Sequence, residues 1–296
     1  MESGAIYIRR NGDKIMRISE SCAKCLFDKQ KNKTDDAAYL AEVKSIIDNR
    51  RENDTSPYMV YLFNKVHTRM FGQGADYRDI KKKYNDLVLS MEDKLRSEIE
   101  AAADPLAKAL MISRIGNYID FGAMNHVDED TFLGLFDKTE MCEKDILTYE
   151  SFKKECEKAK SFLLICDNCG EIVLDKLMVE QLKKHYPDMV IRVMVRGGDV
   201  LNDATREDAA YSGMADISEI LDNGEAIAGT VYELLSQEAK KAVDESDVIL
   251  AKGQGNYESM YGQGIHAFYM FLCKCDLFVS RFEVPMLTGM FVEEGK

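Results

Sequence analysis

Three short polar stretches in this chain carry residue types suited to one chemistry. Asp167-Asn168 follows an apolar run, Asn202-Asp203 closes a second polar segment, and Lys252-Gly253-Gln254-Gly255-Asn256 follows a third apolar run. Two carboxylates and an amide oxygen are hard donors that suit Mg²⁺, Mn²⁺ or a similar divalent ion. A lysine and glycine-flanked backbone N–H groups suit a phosphate. A metal and a lysine around one phosphoryl group would make a hydrolytic site. Each piece alone has an ordinary reading. Asp-Asn after a strand is often a turn or a helix cap, and a single lysine is usually a solvated surface group. Gly253-x-Gly255 lacks the third glycine of a dinucleotide motif. The reading rests on the pieces meeting at one place.

Their meeting depends on the elements between them. Phe162 to Cys166 is a strand-like apolar run. From Glu171 to Tyr186 the apolar residues take helical spacing, and Met189 to Val195 is strand-like again. Strand, polar loop, helix, strand, polar loop is the pattern of a parallel βαβ unit, which sets the C-terminal ends of its strands side by side. Further strands are expected at 247–251, 268–272 and 277–282, with a short one at 217–221. Helices are expected at 206–214, 230–243 and 256–266. Upstream, to about Tyr149, the chain reads as helical: 37–50, 57–71, 77–96, and a helix starting at Asp104-Pro105 and running to Gly116-Asn117. Two short apolar runs around Asn11-Gly12 predict a β-hairpin near the start. The fold class is therefore α/β: a mainly parallel sheet with flanking helices, preceded by a helical region.

Composition narrows the partners. With 52 acidic against 39 basic residues the net charge is −13, which argues against a nucleic-acid partner, whose phosphates call for Lys/Arg patches. No apolar run has the length of a membrane span, and no secretory signal is visible. A cytoplasmic protein acting on a small molecule is expected. Its eight cysteines are then thiols, ligands or core residues rather than disulfides. Cys22-x-x-Cys25 and Cys273-x-Cys275 have the spacing of half a zinc site or a redox pair, but buried or structural thiols are the favoured reading. His67, His126, His185 and His266 are scattered and read as structural.

The motifs also carry a family resemblance. Asp167-Asn168-Cys169-Gly170-Glu171, then Leu201-Asn202-Asp203-Ala204-Thr205-Arg206-Glu207-Asp208-Ala209, then Lys252-Gly253-Gln254-Gly255-Asn256-Tyr257-Glu258 resemble the successive signatures of the damage-control metal-dependent phosphatases, long known as domain of unknown function 89. Gly116-Asn117-Tyr118-Ile119-Asp120-Phe121-Gly122 resembles another. Cys22-Ala23-Lys24-Cys25-Leu26 resembles the cysteine pair of the family's stand-alone prokaryotic branch. The resemblance spans roughly residues 19–282.

It implies a hairpin extension over 1–18, a helical region over 19–149 and a Rossmann-like α/β metal-binding domain over 150–296. It also implies a divalent metal (Mn²⁺, Co²⁺, Ni²⁺ or Mg²⁺) on Asp167, Asn168 and Asp203. Asp167, Glu171 and Lys252 would be the catalytic residues, and Asn117, Asp120, Asn202, Gly253 and Asn256 would line the substrate site. The implied activity is hydrolysis of small phosphorylated metabolites, such as sugar phosphates or damaged phosphometabolites.

Cys169 stands where haloacid-dehalogenase-type phosphatases carry a second aspartate, so metal-activated water is preferred to an aspartyl nucleophile. Two alternatives stand beside this reading. One is an S-adenosylmethionine-dependent carboxyl methyltransferase, an activity described for some relatives, although Asp167 to Glu171 is a poor glycine-rich loop. The other is a metal- or phosphate-binding module without turnover.

Overall fold

A computed structural model describes residues 16, 18–72, 74–122, 128–136 and 139–294. The expected hairpin lies outside the described residues apart from Met16 and Ile18. Six strands form one sheet: β1 (Ser161–Ile165), β2 (Val190–Val195), β3 (Glu219–Asp222), β4 (Val248–Lys252), β5 (Phe268–Leu272) and β6 (Gly289–Glu293), in the order β3-β2-β1-β4-β5-β6. The first five run parallel, and β6 is antiparallel to β5.

The sheet is buried on both faces, which is why its strands read as nearly continuous apolar runs. Alternate residues serve opposite cores. Phe162, Leu164, Leu250 and Phe268 belong to one, and Leu163, Ile165, Ile249 and Tyr269 to the other. The first core also takes in the helices α4 (Arg78–Leu89), α5 (Glu92–Ala101), α6 (Pro105–Gly116), α7 (Glu129–Leu135), α8 (Glu143–Cys156) and α9 (Glu171–His185). Most of the upstream helices are thus one side of the α/β layer structure, and α8 runs straight through position 150. The helices α1 (Glu20–Lys31), α2 (Ala37–Asp48) and α3 (Ser56–Phe71) build a separate small core around Tyr39, Val43, Met59 and Phe63.

Several expected helices are shorter or divided. The expected helix over 77–96 breaks at Ser90–Met91 into α4 and α5. The segment 206–214 becomes α10 (Arg206–Tyr211), and 230–243 becomes a 3₁₀ turn at Tyr232–Leu234 followed by α11 (Gln237–Glu245), which Ser236 caps through its hydroxyl. The helix expected over 256–266 is α12 (Gln254–Met260).

One strand expectation is overturned. Residues 277–282 lie in a helix, α13 (Asp276–Phe282), and the closing strand is β6. Phe278 and Phe282, both buried in the second core, stand four residues apart and so share one helical face. The β-favouring composition hid that spacing.

Candidate active site

The chain leaving β1 and the chain leaving β2 are joined by backbone hydrogen bonds. The Ala204 N–H donates to the Asp167 carbonyl at 2.8 Å and the Cys169 N–H to the Asn202 carbonyl at 2.8 Å, while Asn168 and Asp203 form an antiparallel bridge. Asp167, Asn168 and Asp203 therefore meet at the C-terminal edge of the sheet, all buried. From the helical layer, α4 braces both loops. Asn85 accepts from the Gly170 N–H and donates to Asp208, and Lys81 pairs with Asp208 at 2.6 Å.

Arg196, the residue after β2, holds the two acids. Its Nε donates to Asp203 Oδ2 at 2.6 Å, one terminal nitrogen to Asp167 Oδ1 at 3.0 Å, and the other to Asn256 Oδ1 at 3.0 Å. Its guanidinium is 1% exposed. Burial, together with the Asp203 and Glu171 charges, pushes the Asp167 carboxyl well above its ordinary range, and Arg196 pulls it back only in part. Burial pushes Asp203 up to about 6 against the pull of Arg196, with Asp120 adding to the rise. The cluster thus holds more negative charge than its arginine balances. That is the electrostatic condition of a cation site, and oxygen donors of this type fit a hard divalent ion.

Glu171 opens α9 directly behind these acids. Its Oε2 accepts from Asn168 Nδ2 at 3.0 Å and from Asn117 Nδ2 at 3.2 Å, and Asn117 also donates to Asp167 Oδ2 at 3.0 Å. As placed, Asn168 offers its amide nitrogen to both carboxylates. Turning the amide about its last bond would present the oxygen instead.

Lys252, the last residue of β4, is fully buried, which excludes the surface reading. Its ammonium lies 2.6 Å from Asp175, 2.8 Å from Glu171 and 2.7 Å from the Ser113 hydroxyl. Those groups occupy it where a direct phosphate contact was expected. Burial by itself would lower Lys252, but Asp175 and Glu171 hold it above its ordinary value. Burial raises Asp175 to about 6, Lys252 opposes the rise, and Glu171 adds to it.

Gly253 follows with φ of +82°, and an added Cβ would lie 2.1 Å from Asp167 Oδ2. Only a residue without a side chain lets this carboxylate rest against the backbone. Asn256 is a brace: its Nδ2 donates to the Lys252 and Cys166 carbonyls, and its Oδ1 accepts from Arg196 and Thr230. Asn202 binds the turn after α6, donating to the Ile119 carbonyl and accepting from the Phe121 N–H. Asp120 pairs with Lys274, whose ammonium also reaches the Asn117 carbonyl. All eight site residues expected from the sequence beyond Lys252 and Gly253 thus have a described place around the acids. Arg196, Asp175, Ser113 and Lys274 join them without having been anticipated.

A cavity of about 190 Å³ opens beside Arg196, lined by Gly197, Gly198, Thr205 and Arg206. A larger one, about 500 Å³, lies away from the acids between Arg51, Tyr58 and Tyr232. The loop between β1 and α9 has a single glycine, Gly170, packed on the Tyr84 carbonyl and Ile119, so it forms no glycine-rich cradle for a nucleotide-like cofactor. All eight cysteines are free. Cys166 and Cys169 are buried, and burial raises both thiols, so they stay protonated at neutral pH and are poor ligands beside the oxygen donors. His67 packs edge-on against Tyr39, His185 bonds its own helix at the Gln181 carbonyl, and His266 faces Glu155. His126 lies outside the described residues.

Comparison with known proteins gives the family of the whole chain. The profile of the damage-control phosphatase ARMT1-like domain matches residues 13–287. A protein named damage-control phosphatase from Archaeoglobus fulgidus is 29% identical over 273 residues, covering 88% of this chain and 93% of the relative. Another so named, from Pyrococcus horikoshii, is 27% identical over 221 residues, covering 73% and 74%. An uncharacterised protein from Methanocaldococcus jannaschii is 29% identical over 274 residues, covering 86% of each. The crystal structure of a DUF89 family protein from Pyrococcus horikoshii superposes with a TM-score of 0.76 at 21% identity, covering 95% of this chain and 100% of that one. The chain belongs to the damage-control phosphatase ARMT1-like domain family.

Proposed function

We propose that this protein is a divalent-metal-dependent phosphatase that hydrolyses small phosphorylated metabolites, with Asp167, Asn168 and Asp203 holding the metal. The observation that supports it most is the backbone bridge joining Asn168 to Asp203, which gathers two buried carboxylates around one arginine and leaves excess negative charge. Manganese, cobalt, nickel or magnesium ions suit such donors. When bound, the ion polarises a phosphoryl oxygen and lowers the pKa of a water.

The protein's own groups set the geometry. Arg196 fixes the facing oxygens of Asp167 and Asp203. Asn117 and Asn168 orient Asp167 and Glu171. Lys252 stands behind Glu171, holding it in place and keeping positive charge near the transferring group. Asn117, Asn202, Gly253 and Asn256 are buried and would act by bracing the walls of the substrate site, while Asp120 is partly exposed and could face the substrate. Among the described residues no helix is long and apolar enough to cross a membrane. The free cysteines suit a reducing compartment such as the cytoplasm.

The test is hydrolysis of an aryl phosphate and of a panel of phosphorylated metabolites by metal-stripped protein, with each ion added back. Activity should depend on the ion, and Asp203→Asn should lower kcat/KM on the order of 100- to 1,000-fold. Turnover without metal, or none with any metal, would refute the reading. Saturable binding without product would instead support a non-catalytic module.

A further inference from the structure

A second group of ligating side chains lies at the other edge of the sheet. Glu155 is in the last turn of α8, His266 precedes β5, and Glu293 ends β6. Glu293 pairs in register with Phe268, the first residue of β5. The three therefore sit at the N-terminal edge of the parallel strands, whereas Asp167, Arg196 and Lys252 sit at the C-terminal edge.

The ring of His266 is oriented by its surroundings. Nδ1 faces the backbone carbonyl of Glu294 at 2.5 Å, and since a carbonyl only accepts, Nδ1 carries a proton. In the neutral ring Nε2 is then a bare lone pair. It faces both oxygens of Glu155 at 3.0 Å and one oxygen of Glu293 at 3.9 Å. Acceptors gathered on acceptors need a cation between them. Among the described residues the only ion-pair partner of either glutamate is His266 itself. A proton on Nε2 would leave the group with one net negative charge, while a divalent ion beside a neutral ring balances both carboxylates. An Nδ1–H anchored on a backbone carbonyl is also the usual support of a metal-bound histidine.

The spacing agrees. Ligand atoms from the three residues lie within 4.8 Å of one another. A tetrahedral zinc ion at ~2.0–2.1 Å from nitrogen and oxygen ligands separates them by about 3.3 Å, so the distances of 3.0 and 3.9 Å already bracket the requirement. Side-chain exposures of 15% for His266, 27% for Glu155 and 28% for Glu293 leave the fourth position to water.

We propose that Glu155, His266 and Glu293 form a separate zinc-type site that clamps the end of α8 to the β5–β6 edge. One imidazole with two carboxylates favours Zn²⁺ over Mg²⁺, unlike the all-oxygen set at the other edge.

The experiment uses the full chain, stripped with chelator and titrated with Zn²⁺, following bound metal per chain and the thermal midpoint. The background is Asp203→Asn, which weakens the centre at the opposite edge. In that background, adding His266→Gln should remove one zinc ion per chain, or weaken it by at least ~10-fold, and abolish the rise in midpoint with zinc. Glu293→Gln should weaken the same ion, and it serves as the check if His266→Gln folds poorly by circular dichroism. Unchanged zinc content and midpoint response in folded His266→Gln and Glu293→Gln proteins would overturn the proposal, leaving a protonated histidine between two glutamates. Phosphatase activity is not read, so the result is independent of the function proposed above.

Discussion

Arg196 donates from Nε to Oδ2 of Asp203 at 2.6 Å, and both side chains are buried. The same guanidinium holds Asp167, so removing it strands two carboxylates without a counter-charge. Arg196→Met should lower stability by about 3–5 kcal/mol in chelator at neutral pH, measured by urea unfolding. Because a bound divalent ion supplies the missing charge, saturating metal should restore up to about 2.7 kcal/mol at 100 times its dissociation constant. A variant that metal leaves unchanged would argue against Asp167 and Asp203 as ligands.

Gly253→Ala places a methyl group on the Asp167 carboxylate. The expected result is weaker metal binding, by at least ~10-fold, together with a loss of stability above about 1 kcal/mol. Gly264→Ala is the matched control. Its backbone has nearly the same φ, +81°, but nothing lies within 4 Å of the added Cβ. Calorimetric metal titration of both variants separates backbone strain from displacement of the acid.

Lys252→Met should destabilise the fold by about 3–5 kcal/mol, since it leaves Glu171 and Asp175 buried and unpaired. Adding Asp175→Asn should recover part of that, with a coupling energy of about 0.5–3 kcal/mol in a double-mutant cycle. In the surviving activity, kcat should fall more than KM changes, as expected for a group that sets charge near the reaction rather than gripping substrate.

The pH dependence of stability should carry a mark of Asp175, whose folded pKa is raised to about 6 from 3.8. A carboxyl with a raised folded pKa binds more protons folded than unfolded. Its contribution is therefore full below about pH 4 and is lost as pH rises through about 6. The stability difference between wild type and Asp175→Asn should shift against wild type by about 3 kcal/mol between pH 4 and 7, at 1.36 kcal/mol per pKa unit. A flat difference across that range would remove Asp175 from the charge balance.

Much of this site is legible in the sequence because polar residues at strand ends interrupt apolar runs. Asp167, Asn168 and Asp203 stand out that way, and the pairing of their loops follows from the βαβ pattern. Arg196 is hidden by position: it follows an apolar strand, stands next to two glycines and looks like the start of a surface turn. Two buried acids in the neighbouring loops were the signal, since they need a cation. Asp175 is hidden inside Ile172-Val173-Leu174-Asp175-Lys176-Leu177, where the apolar count suggests an ordinary amphipathic helix. Its signal is Glu171 four residues earlier on the same face, a like-charged pair that a buried helix tolerates only with a lysine between them. The helix at Asp276–Phe282 was masked by β-favouring residues, whose preference packing overrides.

The position of β1 between β2 and β4 has a consequence for how the chain is made. Lys160 and Asp247 meet across 87 positions, so the middle of the sheet closes a long loop before it gains its pairing. Gly253, Asn256 and Lys274, which press on Asp167, Arg196 and Asn117, come later still. A chain emerging from the ribosome therefore exposes Asp167, Asn168 and Asp203 long before it can enclose them. The centre is completed only once the chain has passed Lys274, after the strands and helices that carry the acids already exist.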